Sequence, residues 1–152
     1  MATLGHVYDN NLLLKDAGLV AADAAAQVSS AAKIIDVGAN EVQGDVVIDI
    51  SAIEIATGDE QYEIVLQGSS SSSFASGVAC LCSLRVGDGS TIAAALGTGG
   101  AVDVDDTTGR FILPFRNERN GTVYRYLRLY TVVTGTIATG INYTAYLAPK
   151  VI

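Results

Sequence analysis

From Lys33 onward, apolar and polar residues alternate with a period of two, the pattern of strands whose side chains point to opposite faces. In GDVVIDISAIEIATG, Val46, Ile48 and Ile50 share one face, and Val47, Asp49 and Ser51 share the other. The phase changes near Ala52, because Ile53 and Ile55 then carry the apolar positions, and this predicts a bulge or bend. In YEIVLQG, Tyr62, Ile64 and Leu66 face inward while Glu63 and Gln67 face outward. The run Val78–Val86 is apolar on both faces and predicts a central strand covered on both sides. In RFILPFRNERNG, Phe111, Leu113 and Phe115 alternate with Arg110, Ile112 and Pro114. Pro114 has no N–H to give a ladder, so this is an edge strand. Asn120-Gly121 is a turn signal, and it predicts that Phe111–Phe115 pairs antiparallel with Val123–Val133.

The last strand pair, Gly121 to Leu147, has two unlike faces. Arg125, Leu127, Leu129, Thr131 and Val133 point to one, expected to be the core with Tyr143 and Leu147 opposite. Tyr124, Tyr126, Arg128, Tyr130 and Val132 point to the other, a row of tyrosines around an arginine with no acidic residue beside it. Tyr and Arg are enriched at protein interfaces; Tyr is also a good strand former.

Upstream, Leu12–Ala32 is Ala-rich and has helix propensity, but Gly18 interrupts it and Leu12, Leu13 and Leu14 are contiguous. A short strand near Leu12–Leu14, then an extended or partly helical connection, is expected. Residues 1–11 form an N-terminal arm, loose until something docks against it. Residues 12–152 form one domain. The serines Ser69–Ser73 read as a flexible, solvated loop. With about eight strands and no helix–strand alternation, the fold class is all-β: an antiparallel β-sandwich of jelly-roll type with an extended N-terminal arm.

Composition adds a constraint. Hydrophobic residues are 49% and charged residues 16% of the 152, and the formal net charge is −7. Few charges leave a neutral surface, which suits a chain partly covered in an assembly. The acidic balance argues against a nucleic-acid partner, since phosphate contacts dominate such binding. The exception is a spread of arginines from Arg110 to Arg128, suited to an acidic protein partner. Arg116 and Arg119 in that spread, with His6 and Tyr8 in the arm, complete the candidate interface. The N-terminus shows no signal-peptide pattern and no apolar run approaches ~20 residues, so a cytosolic origin and no membrane are expected.

Candidate chemistry is sparse. His6 is the only histidine, so no Ser-His-Asp or His-cluster metal arrangement exists within one chain, and neither an enzyme nor a cofactor is expected. Asp103, Asp105 and Asp106 echo the start of a calcium loop. Thr108 stands where its glycine belongs and Pro114 where its bidentate Glu belongs, so a solvated acidic loop is expected. Asp59-Glu60 and Glu54/Glu63 are the remaining carboxylates for a glycosidase-like pair. Cys80 and Cys82 share a face if on a regular strand, with Cα atoms roughly 6.5–7 Å apart, long for a disulfide. They are expected to be buried small hydrophobes.

Two stretches carry a family resemblance. DAGLVAADA followed by IIDVG (Asp16–Ala24, Ile34–Gly38) resembles the D-A-x-x-V-x-x-x-A stretch ending in I-D-L-G of small tailed-phage capsid cement proteins. ILPFRNERNGTVYRYLRLYTVVTGTIATGINYTAYL is similar to their closing pattern, matched by Arg125, Tyr126, Leu127, Leu129 and Val132, then Thr144, Ala145 and Leu147. It departs at Tyr130-Thr131, where the family's aromatic falls one place later. The resemblance, to the cement (decoration) protein family of the Bordetella podophage, covers roughly half the chain. It implies a jelly-roll structural protein on the outer surface of an icosahedral head, made in the host cytoplasm. It implies that the protein clamps HK97-fold major capsid proteins and associates with itself as a homodimer or homotrimer. A carbohydrate- or receptor-binding β-sandwich of a phage tail or surface structure is the competing expectation.

Overall fold

The computed structural model describes residues 8–88 and 108–150. His6 and the aspartates at 103, 105 and 106 lie outside the described residues. The chain opens with a 3-10 turn, Asn10–Leu12, whose first amides are met by the Asp9 side chain at 2.9 Å from Asn11 N. Six short strands follow: β1 (Leu13–Lys15), β2 (Leu19–Val20), β3 (Ala24–Ala25), β4 (Gln27–Val28), β5 (Ala31–Ala32) and β6 (Ile35–Asp36). The long strands are β7 (Gln43–Ile53), β8 (Gln61–Ser69), β9 (Ala79–Gly87), β10 (Gly109–Arg116), β13 (Tyr126–Thr134) and β14 (Ile141–Pro149). A two-residue hairpin, β11 (Glu118–Arg119) and β12 (Thr122–Val123), lies between β10 and β13.

One sheet runs β1-β14-β7-β10, with β2 also on β14; the other runs β3-β13-β8-β9, with β6 also on β13. Every pairing is antiparallel. Following the chain through β1, β3, β7, β8, β9, β10, β13 and β14, every step but β8 to β9 crosses between the sheets. That order, two Greek keys in two packed sheets, is the jelly roll expected from the strand pattern.

The alternation sorts the residues as the pattern requires. Val46, Ile48 and Ile50 of β7 face Tyr62, Ile64 and Leu66 of β8, Leu127 and Leu129 of β13, and Tyr143, Ala145 and Leu147 of β14 in one buried cluster. Each fully buried aliphatic side chain there contributes about 1.5–3 kcal/mol. Three hydroxyls inside are satisfied: Thr131 Oγ1 and Tyr143 Oη share a 2.6 Å hydrogen bond between the sheets, and Tyr62 Oη donates to Glu54 O at 3.1 Å. The phase change expected near Ala52 is a bulge: Asn142 opposes Ala52 but Tyr143 opposes Ile50. Pro114 sits in β10, the edge of its sheet.

Three expectations are corrected. Phe111–Phe115 does not pair with Val123–Val133; β10 pairs with β7 and β13 with β8. Asn120-Gly121 turns only the small β11–β12 hairpin, with Asn120 at φ 53° and Gly121 at φ 81°, while the chain crosses between sheets. The short strand and extended connection expected in Leu12–Ala32 are present, by contrast: β1 is Leu13–Lys15, short strands follow with no α-helix, and Ser29 and Ser30, at φ 53° and 64°, make the two-residue turn of a β4–β5 hairpin. The strand Val78–Val86 is an edge, not central, among the described residues, where only β8 pairs with it. The cysteines are not both buried: Cys80 is exposed and Cys82 half-buried. A bulge between Leu66/Cys82 and Gln67/Cys80 is the cause. It puts Cys82 opposite inward Leu66 and Cys80 opposite outward Gln67.

The carboxylates considered for a glycosidase pair are turn caps. Glu60, fully buried, accepts from the Thr57 amide and hydroxyl at 2.7 and 2.6 Å and from the Gly58 amide at 2.9 Å. Asp59 accepts from the Thr136 amide at 2.9 Å, and Glu54 from Thr139 and Gly140 amides at 2.7 Å each. Glu54 and Asp59 staple the β7–β8 connection to the β13–β14 connection, while Glu60 ties the β7–β8 turn to itself. Gly135, at φ 102°, lies so close to the Asp59 carbonyl that a Cβ there would collide with it. Glu63 instead pairs with Arg85 across β8 and β9, at 3.3 Å.

A candidate interface on the outer face of one sheet

Tyr126, Arg128, Tyr130 and Val132 of β13 alternate with the buried Leu127, Leu129 and Thr131, so they project from the sheet away from the core. Antiparallel register sets Tyr126 beside Ser69, Arg128 beside Gln67, Tyr130 beside Val65 and Val132 beside Glu63 of β8. On the other flank Tyr126 meets Asp36 of β6, and Tyr130 meets Ala25 of β3.

Arg128 is the centre of this face. Its Nε donates to Gln67 Oε1 at 2.8 Å, and its guanidinium lies over the Phe74 ring at 4.3 Å and the Tyr130 ring at 5.4 Å. Cation–π contacts of this kind contribute on the order of 0.5–1 kcal/mol each. Among the described residues no carboxylate forms an ion pair with Arg128. Phe74 reaches it because the serine stretch folds back: Phe74 N donates to Ser71 O at 3.1 Å, and Phe74 takes φ 53°. The stretch is therefore not a free solvated loop. Ser69 is fully buried, its Oγ donating to Ser76 O at 3.2 Å and accepting from Ser71 N at 3.0 Å.

Arg125 departs from the alternation. It precedes β13, is exposed, and forms a bidentate pair with Asp36, Nε and Nη2 at 2.8 and 2.7 Å. Those bonds, with one from the Gly38 amide, hold the Asp36 carboxyl down at about 2. The Tyr/Arg row therefore does have an acidic neighbour, and its charge is spent on Arg125. Asp36 is far from Arg125 in sequence, so only the β6–β13 pairing brings them together.

The other candidates scatter. Tyr124 also precedes β13 and lies on the core side: a Cβ at Gly68 would stand 2.8 Å from Tyr124 Cβ, and Gly68 opposes inward Leu127. Asn117 holds Tyr124 there, accepting from its amide at 2.8 Å and donating to its carbonyl at 3.1 Å. Arg116 closes on Glu41 at 2.6 Å and Glu118 at 3.5 Å. Arg119 Nη1 donates to Cys80 O at 2.8 Å, reaching across to the β9 edge. Arg116, Glu118 and Arg119 line a groove of about 630 Å³ between the edge strands β9 and β10. Tyr8 stands on the other sheet, its ring 5.3 Å from that of Tyr146. The structure thus brings together Tyr126, Arg128 and Tyr130, and adds Gln67, Phe74 and Asp36. A lone Phe after a serine run was the one available signal for Phe74.

Among the described residues, no group of three or more His, Cys, Asp or Glu side chains is placed to hold a metal ion, and no helix is long and apolar enough to cross a membrane. No protein-family model matches this chain, and no curated protein matches it.

Proposed function

We propose that this chain is a structural virion protein, a cement (decoration) protein that sits on the outside of an icosahedral phage head and clamps neighbouring HK97-fold major capsid proteins. The observation that carries the reading is the Tyr126–Arg128–Tyr130 face: half-buried aromatic surface around a cation with no carboxylate partner among the described residues, on a chain of net charge −7. Rigid aromatic and arginine side chains are the types that dominate interface energies. The family resemblance at both ends of the chain supports the same reading.

The physics of the role is mass action. A ligand that binds the assembled lattice and not the free subunits stabilises the lattice by RT ln(1 + [L]/Kd). Such a ligand needs a rigid body, a contact face and sites to engage several subunits. A jelly roll supplies rigidity, and self-association as a homodimer or homotrimer multiplies the contacts through effective concentration.

The test is rebinding to heads stripped of this chain. The wild type restores resistance to heat or low salt, and the double variant Tyr126→Ala/Arg128→Ala binds at least about tenfold more weakly while keeping its circular dichroism spectrum. Undiminished rebinding by that variant, or absence of the chain from purified heads, contradicts the proposal.

A further inference from the structure

The outer face of the other sheet holds a cavity of about 460 Å³, within the range of small-molecule sites. Residues paired across neighbouring strands share a face. One row runs Leu13, Tyr146, Val47 and Ile112 across β1, β14, β7 and β10. The next row on the same face runs Thr144, Asp49 and Arg110. An apolar strip and a polar strip therefore lie side by side, and the cavity opens over both.

Each strip is built for contact. Tyr8 stands edge-on to Tyr146 with an interplanar angle of 83° and is 54% exposed, making an aromatic corner. Arg110 is locked onto Asp49, Nε to Oδ1 at 2.7 Å and Nη2 to Oδ2 at 2.9 Å. This bidentate pair fixes both groups. It leaves the far N–H groups of the guanidinium and the remaining carboxylate lone pairs for a ligand. Arg110 also holds the Asp49 carboxyl below its ordinary range, so it stays an acceptor. The Thr144 hydroxyl makes no hydrogen bond among the described residues, and Asp16 stands at the rim.

We propose that this cavity binds a neutral pyranose sugar. A pyranose has an apolar C–H face and a rim of hydroxyl groups that both donate and accept. The exposed ring of Tyr8, braced edge-on by the nearly buried Tyr146, suits the first, since aromatic faces carry negative charge that attracts C–H groups. Asp49, Arg110 and Thr144, in line, suit neighbouring hydroxyls of the second. Charge sets the selectivity: Arg110 is balanced by Asp49 and Asp16 by the neighbouring Lys15, so no uncompensated cation stands there to hold an acidic sugar. The site lies on the face opposite Tyr126 and Arg128, and its test uses the isolated chain, so it stands or falls apart from the cement reading.

The experiment is a two-dimensional amide NMR titration of the full chain with the methyl glycosides of glucose, galactose, mannose and N-acetylglucosamine, and with methyl glucuronoside. At least one neutral glycoside should shift the amides of Asp49, Arg110, Thr144 and Tyr146 saturably. Tyr8→Ala and Thr144→Val should each keep a folded spectrum and raise Kd by about fivefold or more. Three results would overturn the proposal: no saturable shift at those amides with any neutral glycoside, tighter binding of the glucuronoside, or unchanged affinity in both variants.

Discussion

The two outer faces of this sandwich come from the same alternation and are finished in different ways. On the β3-β13-β8-β9 sheet, the outward positions carry Tyr126, Arg128 and Tyr130, and the chain folds its own Phe74 over the arginine. On the β1-β14-β7-β10 sheet, the outward positions carry Leu13, Tyr146, Val47 and Ile112 beside the closed Arg110–Asp49 pair. Val47 is fully buried and Tyr146 only 7% exposed, although both point away from the core. Charge separates the faces further. Arg110 and Lys150 on the second sheet each have a carboxylate, Asp49 and Asp45, whereas Arg128 on the first has an amide and two rings. Period-two alternation thus says which residues leave the core, but not which loops come back to cover them.

The largest expected effect is one that removes both faces at once. Leu129→Ala, in the shared core, should cost about 2–5 kcal/mol, read as a lowered urea midpoint. Tyr126→Ala should move that midpoint far less while acting on head binding. If the two variants destabilise equally, the Tyr/Arg face belongs to the core and the contrast between the faces fails.

Acid should act next, at the turns that join the sheets. Burial would raise the Glu60 carboxyl, but hydrogen bonds from the Thr57 hydroxyl and from the amides of Thr57, Glu60 and Asp59 hold it at about 2, and Glu54 and Asp59 are likewise lowered by backbone amides. A carboxyl with a depressed folded-state value contributes its stability above its unfolded value, near 4.5 for Glu60, and loses it as pH falls toward about 2. Urea midpoints should therefore fall steadily between those limits, and the fall should be shallower in Glu60→Gln. An identical slope in that variant would show that Glu60 does not couple the turns to pH.

A smaller effect separates the two thiols of the edge strand. Cys80 is exposed on the Tyr/Arg face, while burial, with the neighbouring Cys80 charge, pushes Cys82 up to about 12. A thiol reagent at neutral pH should modify one cysteine quickly and the other only on unfolding, and Cys80→Ser should abolish the fast phase. Two fast phases would mean that the bulge at Cys80–Cys82 does not turn them to opposite sides.

Much of the fold was legible in residue order. Val46-Ile48-Ile50, Tyr62-Ile64-Leu66 and Leu127-Leu129 point inward as their spacing requires, and Pro114 marks an edge. What the pattern missed is long-range. The Asn120-Gly121 turn reads as the join of two long strands, but jelly-roll connections cross between sheets, and local turn chemistry carries no information on which strand lies beside which. Val78–Val86 reads as central because its residues are apolar on both faces, yet a bulge and the groove beside it let apolar residues stand at an edge. Of the candidate contact residues, Tyr126, Arg128 and Tyr130 fall together because they share one strand. Tyr124 does not follow, and Arg125 does not take the core-facing place its spacing gives it, because β13 starts only at Tyr126. Asp36 and Phe74 are visible only after the chain has folded.

The direct test of the proposed cement role is a residue-level cryo-electron microscopy reconstruction of the intact particle from the source of this chain. Density for the jelly roll is expected on the outer surface, with Tyr126, Arg128 and Tyr130 against the major capsid protein or a second copy, and Tyr8 and Arg110 facing solvent. A head without this chain, or one in which Tyr8 and Arg110 are buried against the lattice and Arg128 faces outward, would contradict it.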